Sequence, residues 1–357
     1  MSDTFEQAVQ DVIAGIRPTD PAAEERAWQR LDALTKPPRS LGRLEQVAAR
    51  VARIQKTTHP EVDYRAIVLA AADHGVVAEG VSAYPQDVTW QMVANFVAGG
   101  AAINQLASSA NAELWLVDVG VARDLTEFDE VRHEKIAFGT RNMAQGPAMT
   151  REEAARALMV GVNIAREACP DGVRLLGTGE MGIGNTTAAA ALTCAYTGAK
   201  PQDVVGRGTG LDDAGLAHKA QVVARALEVN DAGSLDALGV LAAVGGLEIA
   251  CLAGVVLGAA EYAVPVVCDG FISSAAALAA VRLCPPAGDY VLPSHHSVEP
   301  GHSVVLDALG LEPVLDLDMR LGEGTGAALA FGIIDAACTM MSGMATFAEA
   351  GVAEETA

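Results

Sequence analysis

Ala66-Ile-Val-Leu-Ala-Ala-Ala72, followed at once by Asp73-His-Gly75, is the stretch that decides the fold. Seven apolar residues run without a polar break and stop at an acid, a histidine and a glycine. A strand buried on both faces has this texture, which belongs to parallel sheets covered by helices on either side. Outward from it the design recurs in Glu113-Leu-Trp-Leu-Val-Asp-Val-Gly120 and Val173-Arg-Leu-Leu-Gly-Thr-Gly179. Val264-Pro-Val-Val-Cys-Asp-Gly270, Asp289-Tyr-Val-Leu-Pro-Ser-His295 and Pro313-Val-Leu-Asp-Leu317 continue it. Ala-rich segments of helical length separate most of these runs. The alternation predicts an α/β fold with a doubly wound parallel sheet. Ligands of such sheets bind beyond the carboxyl ends of the strands, where this chain gathers its Gly, Asp, Glu and His.

Composition agrees. Apolar residues make up 51% of the 357 but aromatics only 4%, and there are 36 glycines, so the core is built of small side chains that let helices pack closely. The longest uncharged apolar run, Ile249 to Ala260, is shorter than the roughly 20 residues a bilayer needs. The first residues, Met1-Ser-Asp-Thr-Phe-Glu6, carry neither a basic nor an apolar leader segment, and a cytoplasmic location is expected. Six scattered cysteines without C-x-x-C spacing indicate neither zinc nor a disulfide framework. A net charge of −21 argues against nucleic acid and anionic membranes as partners, while leaving room for a locally positive pocket.

Before the sheet, Phe5, Val9, Val12, Ile13 and Ile16 mark one face of a first helix, and Pro21 opens a second. Lys36-Pro-Pro38 breaks the pattern, and Ser40 is the expected cap of a third helix. After the sheet, Ala327 to about Ala350 reads as one or two helices whose methionines fill core space.

Four stretches could carry chemistry. In Asp318-Met-Arg-Leu-Gly-Glu-Gly-Thr-Gly326, Glu323 stands between glycines at the mouth of a buried helix. A carboxylate there can serve as a general base if burial tunes it, or can merely complement the helix dipole. Gly177-Thr-Gly-Glu-Met-Gly182 contains the G-x-G-x-x-G pattern of dinucleotide sites, with Asp203 as a candidate ribose ligand. With Gly184 and a cap from Asn185 or Thr186, the same loop makes an anion cradle at a helix start, although Glu180 within it would repel phosphate. Gly206-Arg-Gly208-Thr-Gly210 precedes a helix with Lys219, a candidate phosphate ligand or a solvated lysine. Ser294-His-His-Ser297 through His302, with Asp73, His74 and Asp269, has histidines enough for a metal but none of the standard spacings, and phosphate or ribose contacts suit it better. Ser273 and Ser274 lack the hydrolase elbow.

Taken in order, Lys36–Glu45, Ala72–Val76, Gly179–Thr187, Val244–Gly246, Asp269–Phe271, Pro293–His295 and Arg320–Gly324 resemble one family, the nicotinate-nucleotide–dimethylbenzimidazole phosphoribosyltransferases of cobalamin assembly. The resemblance implies transfer of phosphoribose from nicotinate mononucleotide to 5,6-dimethylbenzimidazole or a related base, releasing nicotinate and α-ribazole 5′-phosphate with inversion at C1′. Glu323 matches the general base. Glu180 would lie near nicotinate and ribose, Lys219 and Gly182 near phosphate, and Ser297 and Leu321 beside the nucleotide. Asp73, Tyr84, Gln91, Met92, Gly184, Asn185 and Gly208 complete the expected substrate-binding set. Neither metal nor cofactor is implied, because the pyridinium is already a good leaving group.

The implied architecture is a Rossmann-like α/β nucleotide-binding catalytic domain, residues 63–334, and a small helical domain from both chain ends, residues 1–62 plus 335–357. Two copies would form a homodimer. Two positions depart from the pattern. Arg39 stands where the family often has glycine, predicting a stiffer loop. Met92, with Gln91 adjacent, stands where parts of the family have a base-binding glutamine.

Overall fold

The computed structural model describes residues 2–208 and 210–353, so the last four residues of the predicted 335–357 segment lie outside it. Six strands form its sheet: β1 (Arg65–Ala72), β2 (Ala112–Gly120), β3 (Val131–His133), β4 (Leu175–Met181), β5 (Val266–Cys268) and β6 (Val291–Pro293). Their order is β3-β2-β1-β4-β5-β6 and every pair is parallel. All eight residues of β1 are buried, as an unbroken apolar run between two helical layers requires. The strand order reverses between β1 and β4, and a crevice opens there beyond their carboxyl ends.

Two differences from the sequence reading have simple causes. Strand β3 has no apolar run to betray it, because at the sheet edge only Val131 of its three residues is buried. The Pro313–Leu317 run does not join the sheet. Its β8 (Leu315–Asp316) pairs instead with β7 (His295–His296) in a separate two-stranded ribbon.

Small residues do what the composition suggested. Helices Arg151–Ala168 and Leu247–Glu261 cross so closely that a Cβ on Gly161 would sit 1.8 Å from the Cys251 carbonyl oxygen, and one on Gly254 would sit 1.9 Å from that of Leu158. The first of these helices starts in a reciprocal cap, Thr150 accepting from the Glu153 amide while Glu153 accepts from that of Thr150.

At the amino end lie Ser2–Gly15, Pro21–Asp32 and Arg43–Gln55. Asp20 caps the second through the Ala22 amide at 2.9 Å. Ser40 does not cap the third, which begins after Gly42 at φ 52° without a side-chain cap. Glu45, buried in the first turn, fixes the approach instead, accepting from the Leu41 amide at 2.9 Å and from Lys36 Nζ at 2.9 Å. Arg39 adopts φ 61°, the left-handed conformation that glycine takes without cost, so its substitution brings backbone strain to this loop.

The first helix lies against Arg151–Ala168, with Glu6 3.0 Å from Arg151. The other two meet the chain's end, where the Thr35 amide donates to Ala345 O at 3.1 Å and the Phe347 amide to Ala33 O at 3.1 Å. Helix Thr325–Gly343 joins the two regions. It is long and apolar enough by composition to cross a bilayer, but half of it is buried here, with Phe331, Ile334 and Met341 in the core.

Candidate functional site

A cavity of about 530 Å³ occupies the crevice at the sheet's carboxyl edge. Of the thirteen residues singled out in the sequence, ten line it: Tyr84, Met92, Glu180, Gly182, Gly184, Asn185, Gly208, Ser297, Leu321 and Glu323. Val81, Val88, Phe271 and Ile272 add apolar wall. A larger hollow of about 880 Å³ lies elsewhere, between the Arg141–Arg151 loop and the helix end at Val229. Its two arginines are already paired with carboxylates, and it contains none of the glycine loops.

The glycine loop after β4 has the backbone form of an anion cradle. Gly184 at φ 95° ends it, and helix Asn185–Thr197 begins with its first amides uncapped by any side chain. Gly182 is needed because a Cβ would lie 2.3 Å from Ala72 O. Asn185 is not the cap; it is the first helical residue, and its Nδ2 donates to Glu180 Oε2. The dinucleotide reading of this loop fails on geometry. Gly177 and Gly179 lie inside β4 rather than in a turn, and Asp203 lies in helix Pro201–Val204.

Lys219 stands immediately behind the cradle. Its Nζ is 2.7 Å from Thr186 Oγ1 and 3.3 Å from Gly206 O, and the lysine is 1% exposed. Burial pulls it down to about 8, with Glu299 acting in the opposite direction. Glu299 accepts from the Gly208 amide at 3.0 Å, while Arg320 Nη1 donates to Gly208 O at 3.2 Å across the mouth.

Glu323 adopts φ 64° between Gly322 at φ 85° and Gly324 at φ 89°, three left-handed residues in a row. Gly179 on β4 leaves room for this loop, since its Cβ would meet the Glu323 carbonyl oxygen at 2.5 Å. The side chain is 6% exposed, and its Oε2 has no hydrogen-bond partner. Burial and then the charge of Asp269 push the carboxyl up to about 7, against one amide bond from Ile103. Glu180 is pushed well above the ordinary carboxylate range by burial, and then by Asp269 and Glu248.

Three candidates are not brought to the cavity. Asp73 is buried beneath it, accepting from the Ala122 amide at 2.8 Å, and so braces the end of β1. Gln91 is exposed on helix Val88–Val97, and its neighbour Met92 is the residue at the wall. Lys219 reaches it only through Thr186 and Gly208. Three of the four candidate histidines are engaged with partners, while His295 lines the cavity with its Nδ1 unpartnered and its Nε2 3.8 Å from Asp269. His302 Nδ1 accepts from the Ser297 amide at 2.9 Å, so its Nε2 donates to Ser274 Oγ at 3.0 Å, and burial holds the ring down to about 3. His74 Nε2 is 2.6 Å from Glu248 Oε1, and His296 Nε2 is 2.9 Å from Ser303 Oγ. Among the described residues no group of three or more His, Cys, Asp or Glu is placed to hold a metal.

Sequence reasoning missed Glu299 and the structural part of Asp269. Asp269 ends an apolar strand just as Asp73 does, which was the available signal. An anion cradle, a buried lysine and a carboxylate near neutrality, set at the switch point of a parallel sheet, define a nucleotide-handling α/β enzyme. Residues 16–352 match the family model described as phosphoribosyltransferase. The nicotinate-nucleotide–dimethylbenzimidazole phosphoribosyltransferase of Chloroflexus aggregans is 54% identical over 343 residues, 96% of this chain and 97% of that one. The enzyme of that name from Geobacter metallireducens is 52% identical over 342 residues, 96% and 97% of the two chains. A crystal structure of the same enzyme from Thermus thermophilus superposes with a TM-score of 0.89 at 51% identity, covering 94% of this chain and all of that one. The chain belongs to the nicotinate-nucleotide–dimethylbenzimidazole phosphoribosyltransferase family.

Proposed function

We propose that the protein transfers phosphoribose from nicotinate mononucleotide to 5,6-dimethylbenzimidazole or a related base, with Glu323 as general base. The observation that carries this reading is Glu323 itself, a cavity-lining residue whose buried carboxyl is held near neutrality and has one oxygen without a hydrogen-bond partner. The cradle at Gly182–Gly184 and Lys219 would receive the phosphate, and the apolar wall of Val81, Val88 and Met92 suits a flat aromatic base. Glu323 takes the proton from one azole nitrogen, and the lone pair of the other attacks C1′. The C1′–N bond to the pyridinium breaks, its electron pair neutralises the ring, and nicotinate leaves. Attack from the face opposite the leaving group turns the β-nucleotide into an α-ribazole 5′-phosphate. No cofactor takes part.

The same reading divides the chain into an α/β catalytic domain, 63–334, and a small helical domain from residues 1–62 and 335–357. The hydrogen bonds of Thr35 and Phe347 to the opposite chain end support that division. A homodimer completes it. Leu329, Gly332, Ile333 and Ala336 form an exposed, uncharged stripe on helix Thr325–Gly343, where two chains of charge −21 could meet without like charges opposed. Six unpaired, buried cysteines suit a reducing cytoplasm. Nicotinate release, followed by chromatography with and without dimethylbenzimidazole, tests the function. Base-dependent release with a new ribazole phosphate peak is expected, and no product with any benzimidazole would overturn it.

A further inference from the structure

Asp269 follows β5 and is 1% exposed. Its Oδ2 accepts from the Gly324 amide at 3.0 Å, and its Oδ1 accepts from those of Gly326 at 2.6 Å and Ala327 at 3.3 Å. These amides open helix Thr325–Gly343, which has no cap from its own segment. Helix starts leave such donors unpaired, and here a carboxylate from another strand takes them. The contact is close, since a Cβ on Gly326 would fall 2.8 Å from Asp269 Oδ1 and 2.0 Å from His295 Cδ2.

We propose that Asp269 is the positioning residue for Glu323, holding the left-handed loop that carries it and supplying the fixed negative charge it faces. The claim rests on Glu323 being the general base. One of the three bonds is made to Gly324, directly after Glu323, and the other two fix the first helical turn. A loop of three left-handed residues, one of them a glutamate, needs its ends pinned in this way. Burial raises Asp269 above the ordinary carboxylate value, while His295 Nε2 at 3.8 Å and three amide bonds spread over both oxygens work against that rise and favour the ionised form. The charged groups facing this cluster are few. Glu323 has Asp269 and Glu180 beside it and the Ile103 amide on its carboxyl, while Asp269 has Glu180 and His295. A negative charge held beside Glu323 raises its proton affinity, which a base working near neutral pH requires.

The test compares wild type, Asp269→Asn, Glu323→Gln and the double variant across pH. Asparagine keeps the size of Asp269 but removes its charge and turns an N–H toward that of Gly324. Asp269→Asn is expected to lower kcat about 10- to 100-fold with KM for nicotinate mononucleotide within about twofold, and to move the acid limb of the rate profile down by about one pH unit. The substrate's own ionisation is common to both enzymes, so the displacement belongs to the protein. In the Glu323→Gln background the same change should cost less than about threefold, because its effect runs through the missing base. An unmoved limb, a KM rising in step with the loss, or an equal loss in both backgrounds would overturn the role. If Asp269→Asn does not fold, the Glu323 carboxyl is titrated in wild type by carbon-13 resonance, identified by its absence from Glu323→Gln. A midpoint near 7 is expected, and one near the ordinary 4.5 would overturn the proposal. Full turnover by Glu323→Gln is a separate result that removes the general-base reading and this inference with it.

Discussion

The loops that follow β4 and precede helix Thr325–Gly343 share a local plan and are anchored by different physics. Each ends in a left-handed glycine, Gly184 at φ 95° or Gly324 at φ 89°, and each opens a helix that lacks a side-chain cap from its own segment. The first is seated by packing, with the ring of His74 3.3 Å from where a Gly182 Cβ would be and Val77 against Gly184. The Ile183 amide also donates to Thr89 Oγ1 at 3.1 Å, and those of Asn185 and Thr187 bond the Gly182 and Gly184 carbonyls, but no side chain takes the first helix amides. The second has its amides taken by Asp269, and what it offers the cavity is a carboxylate. On the proposed reading one loop receives charge passively, and the other holds a carboxyl group in a conformation it would not choose.

This contrast is broken most directly by Glu323→Gln. Removing the base is expected to reduce kcat by roughly 10²–10⁴ while leaving nucleotide affinity nearly unchanged. Single-turnover rates and equilibrium binding of nicotinate mononucleotide would show it. Comparable losses in both would mean that the second loop is a binding loop like the first.

Lys219→Ala is the opposite case. Nucleotide binding is expected to draw Lys219 Nζ from Thr186 onto the phosphate; a charge-assisted hydrogen bond is worth about 1.5–3 kcal/mol, so nucleotide KM should rise about 10- to 100-fold with kcat little altered. In wild type the ammonium is charged below its value of about 8, so KM should climb as pH passes upward through that point. A KM flat from pH 7 to 9 would take the lysine out of the cradle.

Stability offers a smaller effect. The Glu323 carboxyl is held at about 7 in the folded chain against an ordinary 4.5, so between these values the native state binds the proton more tightly than the unfolded state does. Stability is therefore lost as pH rises through that window. The interval corresponds to about 3 kcal/mol, which relaxation and water entry reduce to about 1–2. Glu323→Gln should match wild type at pH 4.5 and exceed it by that amount above pH 7, as read from denaturant midpoints. A gap that does not change with pH would show that Glu323 titrates alike in both states.

Much of this was legible in the sequence because the informative residues are punctuation. An apolar run such as Ala66–Ala72 can be satisfied only as a covered strand, and glycines packed around Glu323 signal a loop with unusual backbone. What stayed hidden depends on distant pairings. Asp269 is 55 residues from Gly324, and nothing near Asp73 says that its partner is the Ala122 amide rather than a ligand. The adjacent pair Gln91 and Met92 is undecidable until the helix phase is known, since one turns outward and the other faces the cavity. Ser40 had the right chemistry for a cap, but the helix begins after left-handed Gly42 with no side-chain cap, and Glu45 fixes the approach through Leu41 and Lys36.

Arg39 supplies the control for the strained loop. Like Glu323 it is a non-glycine residue in the left-handed region, at φ 61°, but it lies outside the cavity. Its guanidinium lies 3.7 Å from the centroid of the half-buried Trp28 ring and forms an exposed pair with Asp32 at 3.0 Å. The stacking is worth about 0.5–1 kcal/mol and the exposed pair about as little, which roughly offsets the backbone strain. Arg39→Gly should therefore change stability by less than about 1 kcal/mol and leave turnover as it was. If strain at Glu323 serves catalysis while strain at Arg39 does not, the two substitutions must part in this way. A tenfold loss of turnover in Arg39→Gly would contradict it. Because the loop does not line its own chain's cavity, such a loss would point to the cleft of a second copy.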